Sequence, residues 1–355
     1  MRFRGKGRIA DRLFRKVSRW SVDWENRSGS SFFTIHTRPR RAREVGTWSE
    51  PAIAPARCSV VMQGPIYTDH DFTVETFRLY SRLMPGTQFI LSTWSDTDPA
   101  LLAPIRDLGV TVVLSDKPEY AAPFNTNMQI VTAAAGVRRA VADGAEWILK
   151  TRTDQRLYAP DALSFLIALA KTFPANAGTT TQKARIIGVG LGSLKFAPYH
   201  LSDQTVFGTA EDMLAYWTPP LRTPDEHESF RLDTRTIYLT SEIGELCRHS
   251  SPECYFGSQF LKRIGRGVDW TIADSWAAYR DHFCVADLDA TDFYWVKGQT
   301  YSQREHTFSY DALSNRAEMG FRDWLLLYSG HYVPEDAKRY ESVLKTRFNE
   351  PVAVS

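Results

Sequence analysis

Cysteine is scarce in this 355-residue chain: there are four, Cys58, Cys247, Cys254 and Cys284, with no Cys-x-x-Cys pair among them. That pattern argues against a zinc site and for a reducing compartment. Long apolar runs are missing too, since nothing approaches the roughly 20 residues needed to cross a bilayer. The first residues lack the charged, apolar and small-residue order of a secretory signal. Together these absences predict a cytosolic protein. Two phosphate-binding signatures are also absent. No Gly-x-Gly-x-x-Gly follows the first apolar segment and no Gly-x-x-x-x-Gly-Lys-[Ser/Thr] occurs, which disfavours a hydride-transfer enzyme and a P-loop NTPase. Gly188-Val-Gly-Leu-Gly192 is a partial echo without a clear helix after it, and reads as a flexible strand exit.

Strong net charge is lacking as well, but the value of +2 conceals an uneven balance. Residues 1–44 hold 13 Lys or Arg against 4 acids, leaving 30 against 37 in the rest. Within that basic stretch, residues 8–20 place Ile9, Leu13, Phe14, Val17 and Trp20 on one helical face, opposite Arg and Lys. Such a helix can lie on an anionic inner membrane, each cation contributing on the order of 1 kcal/mol near the surface. Docking of the apolar face on the core explains the pattern equally well. RNA binding is disfavoured because no recognition motif accompanies the charge, so no nucleic-acid partner is expected.

What is present is a regular alternation. After a linker at residues 49–56, apolar strands are predicted at Cys58–Met62, Gln88–Thr93, Val110–Leu114 and from Trp147 onward. Helices are predicted at 72–84, 99–108 and 126–142 between them. Further strands fall at Ala184–Gly190 and Gln204–Gly208, with helices at 209–217 and 252–264. Strand and helix alternating at this spacing imply an α/β fold with a mostly parallel central sheet flanked by helices. Ligands bind such sheets beyond the carboxyl ends of the strands. That edge collects Gln63-Gly64-Pro65, Ser92-Thr93-Trp94-Ser95-Asp96, Ser115-Asp116 and Arg152-Thr153-Asp154, which predicts a cleft there.

The segment Trp147-Ile-Leu-Lys-Thr-Arg-Thr-Asp-Gln-Arg156 passes from an apolar strand straight into charge. Asp154 between Arg152 and Arg156 can bind phosphate, hold a metal or position a sugar, or simply close an ion pair. Asn125 is placed to cap the helix at 126–142, and the amides of Asn127 and Gln129 at its start can read sugar hydroxyls or a base edge. Asp203, just before an apolar strand, can accept a proton from an attacking hydroxyl. A turn or capping aspartate is its alternative. Glu253 in Ser251-Pro-Glu253 is a second candidate base, although ordinary capping explains it as well. His282 and His306 stand alone and read as structural. Asp96-Thr-Asp98 reads as a helix-capping turn.

Taken in order, Val60-Val-Met-Gln-Gly-Pro-Ile66, Leu91-Ser-Thr-Trp94, Asn125-x-Asn-x-Gln129, Lys150–Arg156, Ser202-Asp203 before Phe207-Gly208, and Ser251-Pro-Glu253 resemble the WavE family of lipopolysaccharide-synthesis proteins over roughly residues 58–265. The resemblance implies a GT-A-like (Rossmann-like) glycosyltransferase with a nucleotide-sugar donor and a lipopolysaccharide, capsular or other surface-glycan acceptor, lipid-linked or growing at the inner membrane. Enzymes of that kind carry an Asp-x-Asp motif whose carboxylates hold a divalent metal on the donor diphosphate. Here Arg152-Thr153-Asp154 stands in its place, with the first acid missing. Asp154 can still hold Mg2+ or Mn2+ through the phosphates, or Arg152 and Arg156 can offset the charge directly.

The resulting expectation is a basic amphipathic extension and linker at 1–56, a catalytic domain at 57–290 and an α-rich region at 291–355. The donor would sit over the first three strands, with Gly64 and Pro65 giving backbone approach and Ser92, Trp94 and Asp96 meeting the base or ribose. Asp154 and Arg152 would lie by the diphosphate, and Asp203 would face the acceptor with Glu253 as its competitor. Two other classes share these features: a sugar nucleotidyltransferase, which needs a Gly-rich basic loop that Gly64-Pro65-Ile66-Tyr67 does not supply, and a non-catalytic glycan-assembly protein.

Overall fold

Cys58–Gln63 (β1) is buried at all of its positions, as a strand covered on both faces requires. The structure is a computed structural model and describes residues 8–28, 38–47, 56–176, 178–189, 192–296 and 317–347. It divides into two compact units, Met1–Pro39 and Arg40–Ser355. In the first, a single helix runs from Arg8 to Ser28 (α1), longer than the sequence pattern predicts. Leu13, Val17 and Trp20 on it are exposed.

In the second unit, β1 is followed by α2 (Phe72–Leu83), β2 (Gln88–Trp94), α3 (Pro99–Arg106), β3 (Thr111–Ser115), α4 (Thr126–Ala142) and β4 (Trp147–Arg152). Each lies within two residues of its predicted bounds. The chain continues through β5 (Gln155–Leu157), α5 (Ala162–Thr172), β6 (Ile186–Val189), β7 (Thr205–Thr209), α6 (Ala210–Trp217), α7 (Thr234–Thr240) and the short α8 (Ile243–Glu245), which runs into a π-helical turn at Leu246–Ser250. Then come α9 (Pro252–Arg263), α10 (Ile272–Asp281), β8 (Phe283–Ala286), α11 (Leu288–Thr291), β9 (Phe293–Trp295) and α12 (Phe321–Tyr328).

Seven strands form one sheet in the order β3-β2-β1-β4-β7-β6-β8. All neighbours are parallel except those of β7, which runs antiparallel to both β4 and β6. The fold is therefore the mostly parallel α/β architecture expected. The reversal at β7 has a functional result. The carboxyl end of β4 and the amino end of β7 meet, so Arg152–Asp154 and Asp203 arrive at one place from opposite chain directions.

Helix α4 lies tightly on β1 and β2 because Gly136 faces the sheet. A Cβ there would come within 2.4 Å of Val61 Cγ1 and 3.0 Å of Ser92 Cβ. The boundary expected at residue 290 falls inside the second unit. β9 pairs with β5 through Leu157–Phe293 and Gln155–Trp295, and the Trp324 indole on α12 donates to the Tyr279 and Phe283 carbonyls. Period-2 patterns over three residues are too short to announce strands, so β5 and β9 are not legible beforehand. The linker, apart from Ala56, and His306 lie outside the described residues.

Candidate active site

A cleft of about 440 Å3 opens where β4, β7 and the start of α9 meet. Its lining includes Gln129, Arg152, His200, Asp203, Glu253 and Trp295. Glu318 lines it as well, and the other charged members come from three separate elements, each fixed by its own local chemistry. Arg152 ends β4, and its guanidinium forks onto Asp154, with Nε 3.1 Å from Oδ1 and Nη2 3.3 Å from Oδ2. Glu253 sits in the first turn of α9 behind the Ser251 cap, where the helix dipole favours a carboxylate. Ser251 Oγ donates to it at 2.9 Å.

The segment His200–Asp203 is held by a strained residue. Tyr199 has φ 59, a conformation costly for a bulky side chain. Its N–H donates to Ser275 Oγ and its hydroxyl meets Asp274 and two backbone N–H groups. So anchored, it turns His200 toward Glu253, with Nε2 3.6 Å from the carboxylate and Nδ1 2.7 Å from the Gly192 carbonyl. Burial alone would lower the His200 pKa, but the Glu253 charge and the carbonyl outweigh it and raise the value. His200 is a site residue that the sequence reading misses. Its place three residues before Asp203 is the available signal.

Asp203 is 4% exposed. Burial, then the Glu253 carboxylate, raises its pKa, while Lys150, Arg152 and His200 pull the other way. Lys150 is fully buried on β4, 4.2 Å over the Trp217 ring, and donates to the Asp203 carbonyl at 2.7 Å. Burial lowers its pKa to about 7 against the opposing pull of Asp203. Two polar atoms of the lining, Gln129 Oε1 and Trp295 Nε1, are buried without a hydrogen-bond partner. A cleft with buried acids, an adjacent guanidinium and an unsatisfied donor and acceptor is arranged to take a polar ligand.

Of the residues expected in the site, the structure brings Gln129, Arg152, Asp203 and Glu253 to the cleft wall, with Asp154 directly behind Arg152. Others it uses differently. Arg156 is fully buried, stacked 4.3 Å from the Phe72 ring centroid, and donates to Thr76 Oγ1, Tyr158 Oη and the Arg40 and Phe72 carbonyls. It is a structural cation and cannot reach a ligand. Asn127 is likewise spent, its amide bridging Tyr120 and Arg222 main chain. Ser92 is buried beneath α4 and donates to the Thr132 carbonyl at 2.7 Å. Trp94 is packed at 7% exposure.

Gly64 takes φ 116, which only glycine adopts easily, and the Pro65 carbonyl accepts from Thr153 Oγ1 at 2.5 Å. The β1 turn is therefore tied to the residue between Arg152 and Asp154. Asp96 is exposed and paired with Lys117, while Asp98 caps α3, as the turn reading expects. Asn125 stands at the cap position of α4 with φ 59, but its side chain makes no capping bond. His282 is structural, bonded to Gln182, with its pKa lowered to about 4 by burial.

The donor chemistry around Asp154 offers a divalent metal one carboxylate and no second acid. Both carboxylate oxygens already accept from Arg152, and Mg2+ or Mn2+ there would face a guanidinium in place of a second acid. Among the described residues, no cluster of three metal-ligating side chains includes Asp154.

The WavE lipopolysaccharide synthesis family matches residues 58–263, more than half of the chain. The protein belongs to the WavE family. Its fold is the mostly parallel α/β sheet flanked by helices described above. No curated protein matches the chain. Among solved structures, similarity is found to a mannose-1-phosphate geranyltransferase from Thermus thermophilus, 15% identical over 57% of this chain and 67% of that one, TM-score 0.31. A mannosyltransferase from Pyrobaculum calidifontis in complex with GDP-Man and Mn2+ is 11% identical over 48% and 51%, TM-score 0.30. HddC from Yersinia pseudotuberculosis is 12% identical over 44% and 79%, TM-score 0.29. At that overlap these likenesses add nothing to the fold already described.

Proposed function

We propose that this WavE protein is a glycosyltransferase that moves a sugar from a nucleotide-sugar donor to a surface-glycan acceptor. The observation that carries the reading is Asp203: a buried carboxyl of raised pKa, opening on a cleft whose opposite charge comes from Arg152. In the transfer step, the acceptor hydroxyl oxygen bonds to the anomeric carbon as the bond from that carbon to the donor phosphate breaks. The hydroxyl proton passes to Asp203, and the nucleotide leaves with the electron pair. Arg152 keeps Nη1 for the phosphate, since only Nε and Nη2 bond Asp154. Gln129 Oε1 and Trp295 Nε1, buried without partners in the wall, become an acceptor and a donor for sugar hydroxyls when those side chains turn toward the cleft. Glu253 raises the Asp203 pKa by its own charge, and His200 opposes it. The lipopolysaccharide role of the family supports a glycan acceptor.

No helix among the described residues is long and apolar enough to cross a membrane. The exposed apolar side chains of α1, beside Lys16 and Arg19, support peripheral contact of that unit with anionic lipid at the cytoplasmic face.

The test is incubation of the purified protein with UDP-, GDP-, CMP- and dTDP-sugars and candidate glycan acceptors, with and without Mn2+. Release of free nucleotide with loss of a sugar from the donor, abolished in Asp203→Asn, is expected. Pyrophosphate release from a nucleoside triphosphate and a sugar phosphate would instead establish a nucleotidyltransferase. Full glycan synthesis in cells carrying Asp203→Asn, with no nucleotide release by the purified wild type from any donor, would leave a non-catalytic assembly role.

A further inference from the structure

Beside the cleft but outside its lining, His227, Glu245 and His249 each offer one ligand atom, and the three atoms lie within 4.8 Å of one another. His227 caps the short 3-10 turn Glu228–Arg231, Glu245 ends α8, and His249 lies in the π-helical turn that follows. π-Helical turns are rare and concentrate at functional sites. Glu245 Oε2 is 3.4 Å from His249 Nε2, and the two imidazoles are stacked with centroids 3.9 Å apart and planes 14° from parallel.

Two features make this group more than a surface cluster. The two imidazoles come from separate chain segments yet lie against each other, with the Glu245 carboxylate beside His249. Second, Ser229 Oγ lies 2.8 Å from His227 Nδ1, which now caps the turn as an acceptor; with the proton moved to Nδ1 it would be the outer partner that metal-bound histidines use and leave Nε2 for a metal. The Ser229 N–H, 3.2 Å from the same nitrogen, gives up its bond in that state. The rings must also leave the parallel stack, because each ligand ring plane has to contain the metal. Rotation about χ2, a broad torsion, provides this.

We propose that His227, Glu245 and His249 form a binding site for a divalent transition cation, with Zn2+ the best match. Two imidazoles and one carboxylate select Zn2+ over Mg2+, Ca2+ or Mn2+, and three protein ligands leave a position for water. The cysteine pattern cannot reveal such a site, since it uses no thiolate. The consequence reaches the cleft. The metal would tie the 227–231 turn to the segment that continues into Leu246, Cys247, Ser251 and Glu253, all of which line the cleft. The site does not depend on the sugar-transfer reading.

The experiment is calorimetric titration of the EDTA-stripped full chain with Zn2+ and, separately, Mg2+, alongside His227→Ala, His249→Ala and Glu245→Gln. One Zn2+ per chain is expected. Each histidine substitution should weaken it by about 100-fold or more and Glu245→Gln by roughly tenfold, on the scale set by losses around known sites. Mg2+ should give no saturable heat. Glu245 is 56% exposed at its side chain, so its substitution leaves folding intact if the alanine variants do not fold. Zn2+ binding of equal strength in wild type and Glu245→Gln together with either folded histidine variant, or no saturable binding in the wild type, would overturn the proposal.

Discussion

The two halves of the sheet's carboxyl edge look alike in sequence and differ in what their polar groups are doing. At the β1–β3 half, Ser92 is bonded to Thr132, Thr132 to Gln63, Asp96 to Lys117 and Ser95 to Asp116. At the β4–β7 half, Asp203 and Glu253 face each other across a cleft, and Gln129 Oε1 and Trp295 Nε1 have no partner. Both halves end strands in polar residues, but the second gathers unspent hydrogen-bonding capacity and charge around one cleft. Polarity at a strand end thus locates the edge of the sheet. Unspent capacity locates the site.

The most direct way to break this comparison is Asp203→Asn. It keeps the shape and removes the proton acceptor, so transfer should fall by about 10²–10⁴-fold with the unfolding midpoint little changed. Wild-type turnover in a folded Asp203→Asn protein would move the base elsewhere. In the wild type, Asp203 accepts a proton only when ionised. Activity should therefore fall with decreasing pH through a midpoint above the ordinary aspartate value, because burial and Glu253 raise it. Arg156→Ala makes the opposite case. Its loss removes the guanidinium's bonds to the Phe72 and Arg40 carbonyls and to the Thr76 and Tyr158 hydroxyls, leaves a void beside the Phe72 ring, and should cost about 3 kcal/mol in urea unfolding. The folded fraction should keep its activity.

The contrast between Asp203 and Arg156 also shows how far the sequence can be read. The order of β1 to β4 and the helices between them is legible, because a buried parallel strand needs a continuous apolar run and the helices repeat at 3.6 residues. The direction of β7 is not, since a five-residue buried strand reads the same either way. Asp203 stands out because a charge beside an apolar strand is conspicuous. Arg156 is conspicuous for the same reason and misleads, since only the structure shows that Phe72 and Thr76 of α2 enclose its guanidinium. His200 escapes notice because its role depends on the strained Tyr199 and on Glu253, which lies far along the chain.

A smaller effect tests the charge balance of the cleft. Lys150 is fully buried, and burial holds its pKa near 7, against 10.5 ordinarily. Between these values the unfolded chain keeps the proton that the folded chain has released, so raising the pH favours folding. Relative to Lys150→Met, which has no such proton, the wild type should gain stability as pH rises from about 7 toward 10.5, and be at its weakest below 7. A constant difference across that range, measured by urea titration at several pH values, would mean that Lys150 stays charged in the fold.

The smallest effect discriminates the two halves of the edge most sharply. Ser92→Ala removes one buried donor to the Thr132 carbonyl and should cost about 1 kcal/mol of stability. If the β1–β3 half serves only to hold α4 on the sheet, the KM for the nucleotide-sugar donor should not change in this variant. A rise in KM of tenfold or more, with kcat retained, would show that the donor reaches the β1–β3 half after all. In that case the Ser92 hydroxyl would leave Thr132 when the donor binds, and the cleft beside Asp203 would be only the acceptor end of a longer site.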